Sequence, residues 1–222
     1  MGAADAIRAS DPHGTTAELL DLAERMFAEG GVENVALTQI VAASSQRNRS
    51  ALHYHFGSRE GVLSALLDRR LAAINTRREA LLDALPPAPN AIAVARAAVA
   101  ALALTVIEEP WGRDYISILA QVRFRPQLLG QRALEDENLT GLRRTRRMMQ
   151  AAAPGLPAAT VAERLRWFTD AVVFALARWA NETRAGPGPA DGMGALVERL
   201  AAFGAAGVTA PQHDQASGDE AR

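Results

Sequence analysis

The sequence predicts an all-α fold, with a short three-helix N-terminal unit followed by a larger helical unit. Apolar residues recur at three- and four-residue spacing along most of the 222 residues. Helix caps and Gly or Pro breaks fall between those periodic runs. No alternation of β-branched and polar residues is long enough to read as a strand.

The first helix is marked by Thr15 and Glu18, which have the spacing of a capping box. Leu20, Ala23 and Phe27 form its apolar stripe, and Gly30-Gly31 stops it. A second, short helix starts at Thr38 as N-cap, turns Ile40 and Val41 inward and ends near Ser44 or Ser45. A third starts at Asn48 and runs to Phe56. Leu52 and Phe56 form its buried stripe, which leaves Arg49, Ser50, His53 and Tyr54 for solvent or a ligand. Gly57 ends that helix, and Ser58 caps a longer one that runs to about Leu85. Pro86-Pro87-Ala88-Pro89 then breaks the chain.

Five further helices are expected over residues 90–108, 110–124, 133–153, 157–184 and 191–206, separated by Pro154-Gly155 and Gly186-Pro187-Gly188-Pro189. The chain therefore divides into a flexible N-terminal arm (1–14), a helix-turn-helix unit (15–67), a helical unit (68–207) and a disordered tail (208–222).

Composition narrows the function. Hydrophobic residues make up 49% and charged residues 22%, as in an ordinary soluble globular protein. The absence of cysteine excludes disulfides, thiolate metal sites and cysteine nucleophiles. No signal peptide is visible. The apolar run Ala91–Ile107 carries Arg96 and is short for a bilayer span, so it reads as a buried helix of a cytoplasmic protein, with no membrane partner.

Enzymatic chemistry finds no support. His53 and His55 are two apart on a helix and diverge too far to share a metal. There is neither a P-loop nor a nucleophile elbow, and Gly186, Gly188 and Gly192 sit among prolines as a linker. No enzyme activity, cofactor or metal is expected.

The charge pattern is more informative than the net charge of -1. From Asn34 to Arg59 there is no Asp or Glu, while Arg47, Arg49, Arg59, His53 and His55 all lie there. A local positive patch on a near-neutral protein suits a site-specific DNA reader, because phosphate neutralisation supplies much of its affinity. Two short helices joined by a tight turn match a helix-turn-helix, whose second helix enters the major groove. On that geometry Arg49 pairs with guanine, Ser50 donates or accepts at a base edge, and Ala51 offers a methyl to thymine. Thr38, His53, Tyr54, His55 and Arg59 are placed for phosphate contacts.

The run from Thr15 to about Leu67 resembles the DNA-binding domain of TetR-type transcriptional regulators. The resemblance is carried by Phe27-Ala28-Glu29-Gly30-Gly31, by Leu37-Thr38-Gln39-Ile40-Val41-Ala42-Ala43, and by Leu52-His53-Tyr54-His55-Phe56-Gly57-Ser58-Arg59-Glu60. The last is similar to the family's Leu-Tyr-x-His-Phe-x-Ser-Lys-Glu. The chain departs from the pattern at the turn, Ser44-Ser45-Gln46-Arg47-Asn48, which lacks the family's glycine, and His53 stands where the family usually has Tyr. Gln46 and Arg47 therefore join the candidates for base contact.

The resemblance implies a ligand-responsive repressor that acts as a homodimer on a palindromic double-stranded DNA operator and answers to an unidentified small-molecule effector. It also implies an effector pocket in the larger unit, for which Trp111, Tyr115, Phe124, Met148, Trp167 and Phe174 are the candidates. Phe168, Val172 and Trp179, with Leu196 and Leu200, are the candidates for a four-helix dimer interface, since they fall at helical spacing on two apolar helices. The cluster Arg143, Arg144, Arg146 and Arg147 reads as a solvated face. The alternative is an all-α small-molecule-binding or interaction protein without DNA binding, favoured only by the glycine-free turn.

Overall fold

The computed structural model describes residues 12–44, 56–130, 136–184 and 192–212. Among them are eight α-helices, two 3-10 turns and no strand, so the all-α expectation holds. The helices are α1 (Pro12–Gly30), α2 (Leu37–Ala43), α3 (Arg59–Asp83), α4 (Ala91–Glu108), α5 (Gly112–Phe124), α6 (Thr140–Ala151), α7 (Ala158–Glu182) and α8 (Gly192–Thr209).

Two helix starts differ from the sequence reading. α1 begins at Pro12, so Thr15 lies inside the helix rather than at its cap. Proline suits a first helical position, where its missing N–H would have no partner anyway. α2 begins after Ala36, not at Thr38. The Gln39 side chain accepts a 2.8 Å hydrogen bond from the Ala36 N–H, which satisfies the start of the helix and leaves Thr38 exposed in its first turn.

The ends follow the expected chemistry. Gly31 takes a φ of 85° and donates its N–H to the Phe27 carbonyl at 3.1 Å, closing α1 with a conformation that disfavours other residues. Ile40 and Val41 are buried and α2 ends at Ser44. The helix expected from Asn48 lies mostly outside the described residues. The chain is described again at Phe56, which is half-buried, followed by Gly57 at φ 71°. The Ser58 hydroxyl then accepts from the Gly61 N–H at 3.2 Å, capping α3 as expected.

One continuous core runs through the molecule. Leu19, Ala23 and Phe27 of α1, Ile40 of α2, and Leu63 and Leu66 of α3 belong to the same apolar cluster as the buried faces of α4 to α8. α4 is the central member and contacts α3, α5, α6, α7 and α8. By length and composition it could cross a membrane, but half of it is buried inside the protein. Asn90 caps it, accepting from the Ala93 N–H at 2.9 Å. A Cβ on Gly112 would lie 2.0 Å from the Thr105 carbonyl oxygen, so α4 and α5 meet too closely for a side chain there.

α6 starts at Thr140, later than the expected 133. A 3-10 turn (Asp136–Leu139) leads into it, and Asn138 Nδ2 donates to Asp68 of α3 at 3.1 Å. Two arginines sit at helix C-termini, where cations are favoured. Arg164 donates to the Val208 carbonyl at the end of α8 (3.1 Å), and Arg113 donates to the Ala180 carbonyl at the end of α7 (3.1 Å).

Candidate nucleic-acid interface and internal cavity

The described part of the helix-turn-helix brings two of the sequence candidates together. Thr38, in the first turn of α2, and Arg59, at the start of α3, line one surface cleft with Gly57 and Ser58. Two helix N-termini thus meet at this cleft, each presenting the positive end of its helix dipole. Glu60 lines it as well. The Arg59 guanidinium donates through Nη1 to the Glu33 carbonyl at 2.7 Å, which ties the start of α3 to the turn between α1 and α2. The remaining DNA candidates, Gln46, Arg47, Arg49, Ser50, Ala51, His53, Tyr54 and His55, lie outside the described residues.

The N-terminal unit is fastened to the rest by polar contacts in a mostly apolar interface. Arg70 of α3 is buried, donates through Nε to both Glu24 oxygens of α1 (3.1 and 3.0 Å), and reaches Asp21 at 2.6 Å. Its guanidinium lies 4.5 Å from the centre of the Trp111 ring, which packs edge-on against Tyr115 at 5.9 Å. Burial pushes the Glu24 carboxyl above the ordinary 4.5, against the lowering effects of the Arg70 hydrogen bond and charge. Burial also raises the Tyr115 phenol well above its ordinary value. Just past the C-terminal end of α1, Gln121 of α5 accepts from the Val32 N–H at 2.8 Å.

The larger unit encloses a cavity of about 440 Å3 between α3, α4, α5, α6 and α7. Val99 and Leu102 of α4, Met149 of α6, and Phe168 and Val172 of α7 supply apolar walls. Leu142, Arg146 and Arg166 line it too and are exposed, so the mouth lies between α6 and α7. Arg123 lines it from α5 with its Nε 2.6 Å from Asp170. Arg78 reaches in from α3 and is only 3% exposed.

None of the six sequence candidates for the pocket lines this cavity. Trp111 and Tyr115 are committed to the contacts around Arg70. Phe124, Trp167 and Phe174 are exposed, at 72%, 61% and 41%. Met148 is partly buried against the core, next to Met149, which does line the cavity. A helix turns its side chains by roughly 100° per residue, so neighbours along the chain face different surroundings. Phe168 lines the cavity where Trp167 points to solvent.

Two dimer candidates are placed inside the protomer for the same reason. Phe168 and Val172 are buried cavity residues, and a Cβ on Gly204 of α8 would lie 2.1 Å from the Phe168 ring. Trp179 and Leu196 line a shallow cleft between α7 and α8, and Leu200 is half-buried. The large apolar side chains left on this surface are Trp167, Phe174 and Phe203. The arginine cluster of α6 is also divided: Arg144 pairs with Glu79 and Asp83 of α3, while Arg146 lines the cavity.

Sequence reasoning passed over Arg78. The available signal for Arg78 was its place among the apolar positions of α3. It stands three residues after Asn75 and four after Ile74, which puts a charge on a buried stripe.

Comparison with known families agrees with both units. Residues 19–66 match the family model for bacterial regulatory proteins of the tetR family. Residues 96–207, half of the chain, match the model for the tetracyclin repressor-like C-terminal domain. No curated protein matches the chain.

Proposed function

The chain belongs to the TetR family and is a DNA-binding transcriptional regulator; on that premise we propose that it is a ligand-responsive repressor acting as a homodimer on a palindromic operator. Its place of action is the cytoplasm. The helix from Asn48 enters the major groove, with Gln46, Arg47, Arg49, Ser50 and Ala51 at base edges. Thr38, His53, Tyr54, His55 and Arg59 grip the phosphates on either side.

The observation that carries ligand response is the course of α5. Arg123 lines the cavity, and Gln121, on the same helix, holds the end of α1 through the Val32 N–H. Next to it, Arg125 pairs with Glu33 in the turn that Arg59 also grips. A molecule in the cavity that moves α5 therefore moves the frame of the helix-turn-helix. It shifts the equilibrium only by binding the two arrangements with different affinity.

Dimerisation is supported by Trp167 and Phe174, two turns apart on α7, and by Phe203 on α8, all exposed in the single chain. One short reading helix contacts too few base pairs for useful specificity, whereas a two-fold dimer reads two half-sites.

The test is a gel shift with DNA from the protein's own promoter. A salt-sensitive, sequence-specific complex is expected, with Arg49→Ala relaxing specificity at one base position and Arg59→Ala weakening all sequences alike. No such complex at any operator, or two variants that bind as wild type does, would overturn the reading.

A further inference from the structure

The cavity has an uneven chemistry. Arg78, Arg123, Arg146 and Arg166 line it, and among the described residues no Asp or Glu does. The two threonines in its wall spend their hydroxyl protons within their own helices, Thr145 on the Gly141 carbonyl and Thr169 on the Leu165 carbonyl. Free donors in the cavity therefore come from guanidinium groups.

Arg78 is the deepest of them. Its Nη1 is committed to Asn75 Oδ1, and its Nε is buried with no hydrogen-bond partner. Among the described residues no carboxylate lies within ion-pair distance of it, although Arg77 beside it pairs with Glu108 and Glu109. Burial lowers its pKa from the ordinary value, a sign of how poorly the charge is compensated. A buried, unpaired cation is costly, and an incoming anion removes that cost. With Nη1 taken, the edge left open is the side-on fork of Nε and Nη2, which matches the two oxygens of a carboxylate.

We propose that the effector is an amphipathic organic carboxylate, whose carboxylate pairs with Arg78 and whose apolar body lies among Val99, Leu102, Met149, Phe168 and Val172. The proposal rests on the ligand-responsive reading above. The cavity's volume is in the range that takes drug-sized ligands. Arg146 and Arg166 at the mouth attract the anion as it enters, while Arg123 stays with Asp170.

The experiment is a calorimetric titration of the full-length protein, without DNA, using two matched series. One is decanoate, decanol and decylammonium; the other is 1-naphthoate and 1-naphthol. In at least one series the carboxylate should bind tighter than its neutral counterpart by about tenfold or more, the factor one charge-assisted hydrogen bond supplies. Arg78→Met should remove that preference and leave the alcohol's affinity unchanged. Arg78→Lys, which keeps the charge but not the fork, should retain part of it and guards against a misfolded Met variant. If the alcohols or decylammonium bind as tightly as the carboxylates, or if neither carboxylate binds, the proposal is overturned. It is equally overturned if Arg78→Met and Arg78→Lys both keep the full preference. Adding DNA separates the two readings: carboxylate binding without release of DNA supports the ligand chemistry and counts against ligand response alone.

Discussion

Gln121 accepts a 2.8 Å hydrogen bond from the backbone N–H of Val32, some ninety residues earlier in the chain, and its Nε2 donates to the Phe27 carbonyl at 3.3 Å. One amide side chain of α5 thus takes up a donor just past the end of α1 and an acceptor in its last turn. Gln121→Ala leaves that donor without its partner in a half-buried site. The expected loss of stability in urea unfolding is about 1–3 kcal/mol. In native-state hydrogen exchange the Val32 amide should exchange much faster in the variant. An unchanged Val32 rate would show that the bond does not hold the two units together.

The Arg70–Glu24 pair makes a prediction about charge. Arg70→Met leaves Glu24 buried without its main cation and should cost about 3–5 kcal/mol, whereas Glu24→Leu combined with Arg70→Met should recover most of that loss. Urea unfolding of the three proteins decides it. The pH dependence has a defined sign. Glu24 holds its proton more tightly folded than unfolded, so its contribution to stability is fully present below about 4.5 and is lost as pH rises through the higher folded value. Arg70→Met removes the groups that lower the carboxyl, so its NMR titration midpoint should move further up.

Gly204 and Phe168 link the core to the cavity. An alanine Cβ at 204 would sit 2.1 Å from Phe168 Cε2, so the ring must swing away from α8 and into the cavity that it lines. Gly204→Ala should lower stability by about 1–3 kcal/mol, as overpacking does. It should also weaken binding of any ligand that fills the cavity, which calorimetry measures. DNA affinity without ligand should stay close to wild type. A variant with full stability and ligand affinity would contradict the packing described.

The exposed apolar surface of α7 makes a prediction about assembly. Trp167→Glu with Phe174→Glu places two charges on a face that is 61% and 41% exposed at those residues in the single chain. Sedimentation should show a dimer for wild type and a monomer for the double variant, with loss of operator binding. The monomer should keep its helical circular dichroism, because neither side chain belongs to the protomer core. A dimeric double variant would place the interface elsewhere.

Much of the architecture was legible from local signals. Ser58 caps a helix because a short oxygen-bearing side chain before a periodic apolar run can satisfy only the amides of the next turn. Gly31 ends α1 because a left-handed residue is needed there. The cap reading failed at Thr38, where Gln39 satisfies the amide instead. It also failed at Thr15, where the helix runs on upstream to Pro12. At the start of α2 a second side chain, Gln39, was competent, and residue type alone does not rank it against Thr38.

The amino-acid sequence by itself determined the all-α class, most helix boundaries, the acid-free window from Asn34 to Arg59 and the family resemblance. Each of these depends on residue types at short separations along one chain. Tertiary structure decided which face of each apolar helix lies inside. α7 carries two apolar stripes, and only packing against α8 and the cavity selects Phe168 and Val172 as interior and leaves Trp167 and Phe174 outside. It also decided that Arg78 is buried while Arg77 beside it reaches Glu108 and Glu109. Periodicity gives the angle between side chains on one helix but not the direction of the neighbouring helix, and it is that direction that turns an ordinary arginine into a buried, unpaired cation.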